Sequence, residues 1–195
     1  ASVDAAVGQM RAAGFVPDAV VLNAGAFEED LEPEYRYATV QRVLTTNVDG
    51  ALNWVDRFLP EFRQRKTGQF VAISSVSAYR PDTTSVAYSA SKAALSMAFR
   101  CLRLRYRVSG VRFKTIHFGP VATAISPRYS RSADLQKKYW FVLTPAQAAR
   151  GIAGVLTARR DVFYIPFAIT TVFRLLRVLP DRWFAAITER LRRRA

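Results

Sequence analysis

Cysteine, histidine and methionine are nearly absent: the 195 residues hold one, one and two of them. The lone thiol, Cys101, closes no internal disulfide. The lone imidazole, His117, has neither the partners of a serine triad nor those of a zinc site, so a satisfied structural histidine and no bound metal are expected. Long apolar runs are missing too. Residues 162–173 carry no charge but are followed by Arg174 and Arg177, a run too short to span a bilayer. No basic-then-apolar leader opens the sequence, which with the single cysteine points to a reducing, cytoplasmic setting. No Gly-x-Gly-x-x-Gly occurs, so the commonest phosphate-cradling loop is absent from these residues.

Acids are scarce beside bases: 15 Asp and Glu face 29 Lys and Arg, a net charge of +14. Residues 1–50 hold three arginines against eight acids, so everything downstream carries +19. Such an excess suits an anionic membrane surface, a phosphorylated ligand or nucleic acid, beside the plainer reading of a solvated, arginine-rich surface. Arg100, Arg103, Arg105 and Arg107 are interleaved with apolar residues on one expected helix, and no zinc-finger or RNA-recognition signature accompanies them. Nucleic acid is therefore the least favoured partner.

What is present is a half-apolar composition, enough for one domain with a sizeable core. Residues 2–13 read as a short helix and Asp18 to Gly25 as a buried strand running into a glycine turn. Glu28 to Glu34 reads as an exposed acidic loop. Val48, Leu52, Val55, Phe58, Leu59 and Phe62 recur at helical spacing, and that helix should stop near Gly68. Gln69 to Ser75 is a second buried strand, 86–107 a helix ended by Ser109 and Gly110, and Val111 to His117 a third strand. Residues 144–157 form a helix opened by Thr144 and Pro145, followed by a short strand from Val162 to Ile165. Alternating strands and helices imply a parallel sheet covered on both faces, with ligands beyond the carboxyl ends of its strands. Beyond Pro180 a last helix ends in Arg192, Arg193 and Arg194.

Tyr88 and Lys92 stand four apart on an expected helix, which puts both side chains on one face within reach of a common ligand. Eight tyrosines and five lysines produce such a pair by chance about 0.2 times, so its context decides. Ser75 ends a strand thirteen residues earlier, Asn47 lies on the helix before that strand, and Asn23, Ala24 and Gly25 follow the first strand. These four signals, in this order, resemble the short-chain dehydrogenase/reductase family. The likeness runs on through Phe118-Gly119-Pro120-Val121-Ala122-Thr123, which is similar to the family's Pro-Gly-x-Val-x-Thr segment except that Phe118 replaces the proline.

The resemblance implies an α/β fold: a doubly wound, Rossmann-like parallel sheet with helices on both faces, covering residues 1–165, with 166–195 as an apolar and basic helical tail. The first strand matches the family's fourth, so an N-terminally truncated chain is expected, without the glycine-rich turn that holds the cofactor pyrophosphate. The implied reaction is hydride exchange between NAD or NADP and a carbonyl or alcohol. In it Tyr88 is the acid/base, Ser75 steadies the substrate oxygen, Lys92 holds the nicotinamide ribose, and Asn47 holds a water leading protons to the lysine. Asn23, Ala24, Gly25, Tyr88, Lys92, Gly119, Val121 and Thr123 are the implied cofactor contacts. A lysine cation nearby should favour phenolate and lower the Tyr88 pKa from its usual value near ~10.

The stretch Phe163 to Phe184 is aromatic and aliphatic, and in related enzymes this tail lies near the substrate entrance, so the resemblance implies a hydrophobic alcohol or ketone as substrate, with Tyr129 to Trp140 as a lid. The resemblance also implies a homo-oligomer, since in the family the two long helices beside the sheet often form the interface and 48–62 and 90–102 have suitable apolar faces. Phe167, Ile169, Phe173, Leu176 and Leu179 suit either a peripheral membrane contact or a helix packed on the chain's own cleft. The alternative to an enzyme is a binding or membrane-peripheral module that keeps this fold and has lost the chemistry.

Overall fold

The computed structural model describes residues 2–28, 35–80, 85–125, 141–176 and 178–183. The expected lid at 129–140 lies outside them, as do most of the acidic loop and most of the last helix. The elements run α1 (Val3–Ala12), β1 (Ala19–Leu22), α2 (Tyr37–Leu44), a π-helical turn (Thr45–Asp49), α3 (Gly50–Arg65) and β2 (Gln69–Ser75). A short 3-10 turn (Val76–Ala78), α4 (Val86–Arg105), β3 (Arg112–Phe118), α5 (Pro145–Thr157), β4 (Val162–Ile165) and α6 (Phe167–Leu176) follow.

All four strands are parallel, in the order β1-β2-β3-β4, and each is joined to the next by a helix. Period-two alternation sends neighbouring side chains to opposite faces. On one face Phe70 and Ala72 of β2 and Phe113 of β3 pack with Val55, Phe58 and Phe62 of α3 and with Leu95 and Phe99 of α4. On the other, Val71, Ile116 and Phe118 pack with Ala148 and Val155 of α5. The doubly wound α/β architecture expected from the sequence is thus present. The ring series Phe58, Phe62, Phe70 and Phe113 is in contact along its length, with centroids 5.0–6.1 Å apart.

Local chemistry sets the element ends. Ser2 caps α1 through Ala5 N, and Thr144 with Gln147 forms a reciprocal capping box for α5. Lys114 is buried on β3 and donates its three N–H groups to the carbonyls of Val155, Leu156 and Ala158, satisfying the C-terminal end of α5. The helix before β2 begins at Tyr37, earlier than its periodicity indicates. The π turn inserts a residue into the helical repeat, so the apolar stripe of α3 does not extend back through α2, whose one buried residue is Val43. That helix ends on Lys66 in the left-handed region, two residues before Gly68.

Gly110 is required by space and by conformation. Its φ is +80°, and a Cβ built on it would stand 2.1 Å from the Lys66 carbonyl oxygen. Gly110→Ala is therefore expected to cost more than about 2 kcal/mol, read as a drop in the urea midpoint at unchanged slope.

The apolar faces expected to serve an oligomer are largely consumed inside the chain: Val55, Phe58, Phe62, Leu95 and Phe99 are core residues. What faces outward on α4 is Val86, Met97 and Leu104. No helix among the described residues is long and apolar enough to cross a membrane.

Candidate active site

The carboxyl ends of β1, β2 and β3 lie on the same side of the sheet, and Asn23, Gly25, Asn47, Ser75, Tyr88, Lys92, Gly119, Val121 and Thr123 sit at those strand ends, on the loops after them or on a helix beside them. β2 delivers Ser75, whose backbone then turns into the 3-10 segment. The Ser75 hydroxyl oxygen accepts from Ser77 N at 3.1 Å and lies 3.2 Å from Ser77 Oγ. α4 starts at Val86 and presents Tyr88 and Lys92 one turn apart. The Lys92 Nζ is 5.5 Å from the Tyr88 ring centroid and donates to the Ile73 carbonyl at 2.9 Å. Phe27 meets the Tyr88 ring edge-on at 5.0 Å.

Electrostatics here run partly against expectation. Burial disfavours phenolate and pushes the Tyr88 pKa up, and a hydrogen bond with the Ser75 side chain offsets only part of that rise. The lowering anticipated from Lys92 does not prevail, because removing the phenol from water outweighs a cation that stands over the ring face. Lys92 itself is 5 % exposed, and burial depresses its pKa from 10.5 to about 8.

Asn47 lies in the π turn and is 1 % exposed. Its Oδ1 accepts from Ala26 N at 2.7 Å, and its Nδ2 donates to Ala26 O at 3.0 Å and to Ser91 Oγ at 2.8 Å. Ser91 Oγ in turn donates to the Tyr88 carbonyl. The amide thus ties the loop after β1 to the first turn of α4, so its first role is structural: it fixes the distance between Gly25 and Lys92. Asn47→Ala leaves Ala26 N–H without its side-chain partner and is expected to cost about 1–3 kcal/mol, measurable by equilibrium denaturation.

Gly25 stands at the centre. A Cβ on it would lie 3.6 Å from Asn47 Oδ1 and 3.7 Å from both Lys92 Nζ and the Ile125 side chain. A side chain would fill the space between the β1 loop and the lysine, and Ile125 brings the loop after β3 to the same point. Asn23 and Ala24 are exposed beside it. In that third loop, Gly119 N donates to Ile165 O at 2.8 Å, Val121 bridges to Leu143, and Thr123 N donates to Val121 O. A Cβ at Gly119 would press at 3.3 Å on Ile169 and Pro166, so α6 is packed directly against this loop.

Asn47, Gly25, Ser75, Tyr88 and Lys92 are therefore brought together, with Asn23 and Ala24 beside them. Gly119, Val121 and Thr123 lie in the loop that brings Ile125 beside Gly25. The sequence reading missed Ser91, Ala26 and the Ile73 carbonyl. Ser91 lies inside the YSASK segment, but a small polar residue on a helix carries no signal of its own. Among the described residues no group of three or more His, Cys, Asp or Glu is placed to hold a metal.

A family model described as short chain dehydrogenase matches residues 1–134. With the parallel sheet and the Ser75, Tyr88 and Lys92 cluster, this makes the chain a member of the short-chain dehydrogenase family. An uncharacterized oxidoreductase of Myxococcus xanthus is 30% identical over 176 residues, which cover 90% of this chain and 67% of that protein. One of Mycobacterium tuberculosis is 32% identical over 180 residues, 91% of this chain and 50% of that protein, so the chain spans about half the length of this mycobacterial relative. Among solved structures, a short-chain dehydrogenase from Streptomyces avermitilis superposes with a TM-score of 0.71 at 22% identity, over 95% of this chain and 72% of its own. A 4-hydroxyisoleucine dehydrogenase complexed with NADH gives 0.73 at 18%, over 83% of this chain and 72% of its own.

Proposed function

We propose that the protein containing this chain is an NAD- or NADP-dependent oxidoreductase that interconverts a carbonyl and an alcohol, with Tyr88 as the proton donor and acceptor. The observation that carries this reading is the convergence of Ser75, Tyr88 and Lys92 beside the loop at Gly25. The residues present fit a nicotinamide cofactor. The bare Gly25 backbone stands beside Lys92, where a Cβ would lie 3.7 Å from Nζ, and the Lys92 ammonium spends one of its three N–H groups on Ile73. Asn23, Ala24 and Lys92 would hold it, with the loop Gly119 to Thr123 as a further wall. When bound, the nicotinamide supplies or takes the hydride.

The chain's own residues supply the proton and the alignment. Burial keeps the Tyr88 phenol protonated, which suits it to give a proton to a carbonyl oxygen as that oxygen becomes an alkoxide. The Ser75 hydroxyl, which meets Tyr88 before substrate enters, turns its single proton to the same oxygen as the second donor. The Lys92 cation stabilises phenolate once the proton has left. Asn47 sets the β1 loop against α4, and a water carried beside it is the proposed route for resupplying the proton.

Residues 1–165 are read as the catalytic unit and 166–195 as a tail whose helix α6 covers the loop after β3. Support for a hydrophobic substrate comes from α6, whose Ile169 packs against the loop after β3 while Phe167, Val172 and Leu175 face outward. The outward apolar face, flanked by Arg174 and Arg182, fits an anionic lipid surface by charge, and sedimentation with phosphatidylglycerol vesicles against neutral ones tests it. The exposed Met97 and Leu104 on α4 are assigned to a second copy of the chain, tested by light scattering.

Fluorescence titration of NADH and NADPH into the intact protein, followed by a panel of hydrophobic aldehydes and ketones, is the deciding experiment. Saturable binding with carbonyl-dependent cofactor oxidation is expected. Absence of binding would replace the enzyme by a module that retains the fold alone.

A further inference from the structure

Beside Ser75, three aromatic residues far apart in sequence are joined by hydrogen bonds through Tyr79. Tyr79 follows the 3-10 turn, His117 lies on β3 and Tyr164 on β4, where the register sets it directly opposite His117. Tyr79 Oη is 3.0 Å from His117 Nε2 and 2.9 Å from Tyr164 Oη, and His117 Nδ1 is 3.4 Å from the Ser75 carbonyl oxygen. The His117 and Tyr164 rings stack with centroids 5.2 Å apart and 15° between planes, and His117 is 3 % exposed.

We propose that Tyr164, Tyr79 and His117 form a hydrogen-bond chain of fixed direction that positions Ser75, making Tyr79 and His117 positioning residues for the reaction assigned above. The direction follows from what each atom can do. A backbone carbonyl only accepts, so His117 Nδ1 must carry the proton that faces Ser75. A neutral ring then has a bare Nε2, which only accepts, so the Tyr79 hydroxyl must donate to it. Tyr79 Oη is left to accept from Tyr164. The chain reads Tyr164 O–H to Tyr79, Tyr79 O–H to His117 Nε2, and Nδ1–H to Ser75 O, with no lone pair opposed to another. The opposite tautomer would set the Nδ1 lone pair against a carbonyl oxygen.

Neutrality of the ring is secured by its surroundings. Burial and, more weakly, the guanidinium charges of Arg103 and Arg174 bring the His117 pKa down to about 4 against the opposing pull of the Ser75 carbonyl. Arg174 of α6 also lies over the Tyr164 ring at 5.2 Å. Arg80, one residue beyond Tyr79, donates to Asp181 Oδ1 at 3.1 Å and to the Leu179 carbonyl at 2.7 Å, so the segment after α6 is anchored next to the same turn. The placement of Ser75 is in this way tied to the covering helix, as well as to β2.

The proposal rests on the oxidoreductase reading for its purpose but not for its test. His117 is the only histidine, so a 15N-histidine-labelled chain gives one set of imidazole signals. We expect the neutral Nδ1–H tautomer throughout about pH 6 to 8. Tyr79→Phe keeps the ring and removes the donor; it should leave Nε2 bare, shift the Nε2 15N signal and move the Ser75 carbonyl 13C signal, picked out among the three Ser–Val pairs by selective labelling. In the intact protein the same variant should lower kcat about tenfold and leave KM within about twofold, the pattern of a contact felt in the transition state. A wild-type Nε2–H tautomer, or a Ser75 carbonyl signal unmoved by Tyr79→Phe, would overturn the proposal. Absence of turnover in every version would instead sink the oxidoreductase reading and leave the two spectroscopic readouts to decide the chain.

Discussion

Tyr88→Phe is expected to lower kcat/KM by about 10²–10⁴-fold, the range supplied by a positioned general acid, while cofactor affinity and unfolding midpoint change little. The variant keeps the ring that packs on Phe27 and deletes only the hydroxyl that meets Ser75. Ser75→Ala should cost less, because the phenol still protonates the forming alkoxide. The two losses should be less than additive, since both donors act on one oxygen. Steady-state kinetics on the two single variants and the double variant checks this. Equal losses in kcat and in cofactor affinity for Tyr88→Phe would mean that the phenol binds and does not react.

Lys92→Met is expected to separate stability from activity. Burial lowers the Lys92 pKa from 10.5 to about 8, a drop that converts to about 3 kcal/mol against the charged form. The unfolded chain therefore binds more protons than the folded one between those two values. The penalty is present in full below about pH 8 and disappears as pH rises toward 10.5. Methionine fills the same volume without the charge and forfeits one hydrogen bond to Ile73, worth about 1 kcal/mol. At neutral pH the variant should thus be about 2 kcal/mol more stable than wild type, with the gap closing in alkaline buffer. Its turnover should fall by about 10²-fold or more. Denaturant titrations at several pH values read the first effect. A methionine variant that is less stable at neutral pH would show that Lys92 is held by contacts stronger than its desolvation cost.

Much of this candidate site's arrangement is legible in the sequence. Ser75, Tyr88 and Lys92 belong to short motifs whose spacing is set by one strand end and one helical turn, and local geometry of that kind survives folding unchanged. The strands were legible because β2 and β3 are buried on both faces and read as apolar runs. The start of the helix at Tyr37 was not, since the π turn at Thr45–Asp49 breaks the period on which such a reading depends. The full hydrogen-bonding of Asn47 was also hidden. Its partners Ala26 and Ser91 lie 21 and 44 residues away, and only the packing of α4 beside the β1 loop brings them together. The rise in the Tyr88 pKa had the same origin: a lysine one turn away is visible in the sequence, whereas the depth of burial that outweighs it is a tertiary property. The Tyr79, His117 and Tyr164 cluster depends on the β3–β4 register, which no local pattern encodes.

The most direct test follows deuterium from C4-deuterated NADH or NADPH into product, using the intact protein, its Tyr88→Phe variant and a panel of hydrophobic ketones and aldehydes. Deuterium on the new carbinol carbon with wild type, and little or none with Tyr88→Phe, is the predicted result. No transfer from either cofactor to any carbonyl, or equal transfer by both proteins, would contradict the assignment of hydride chemistry to the Ser75, Tyr88 and Lys92 site.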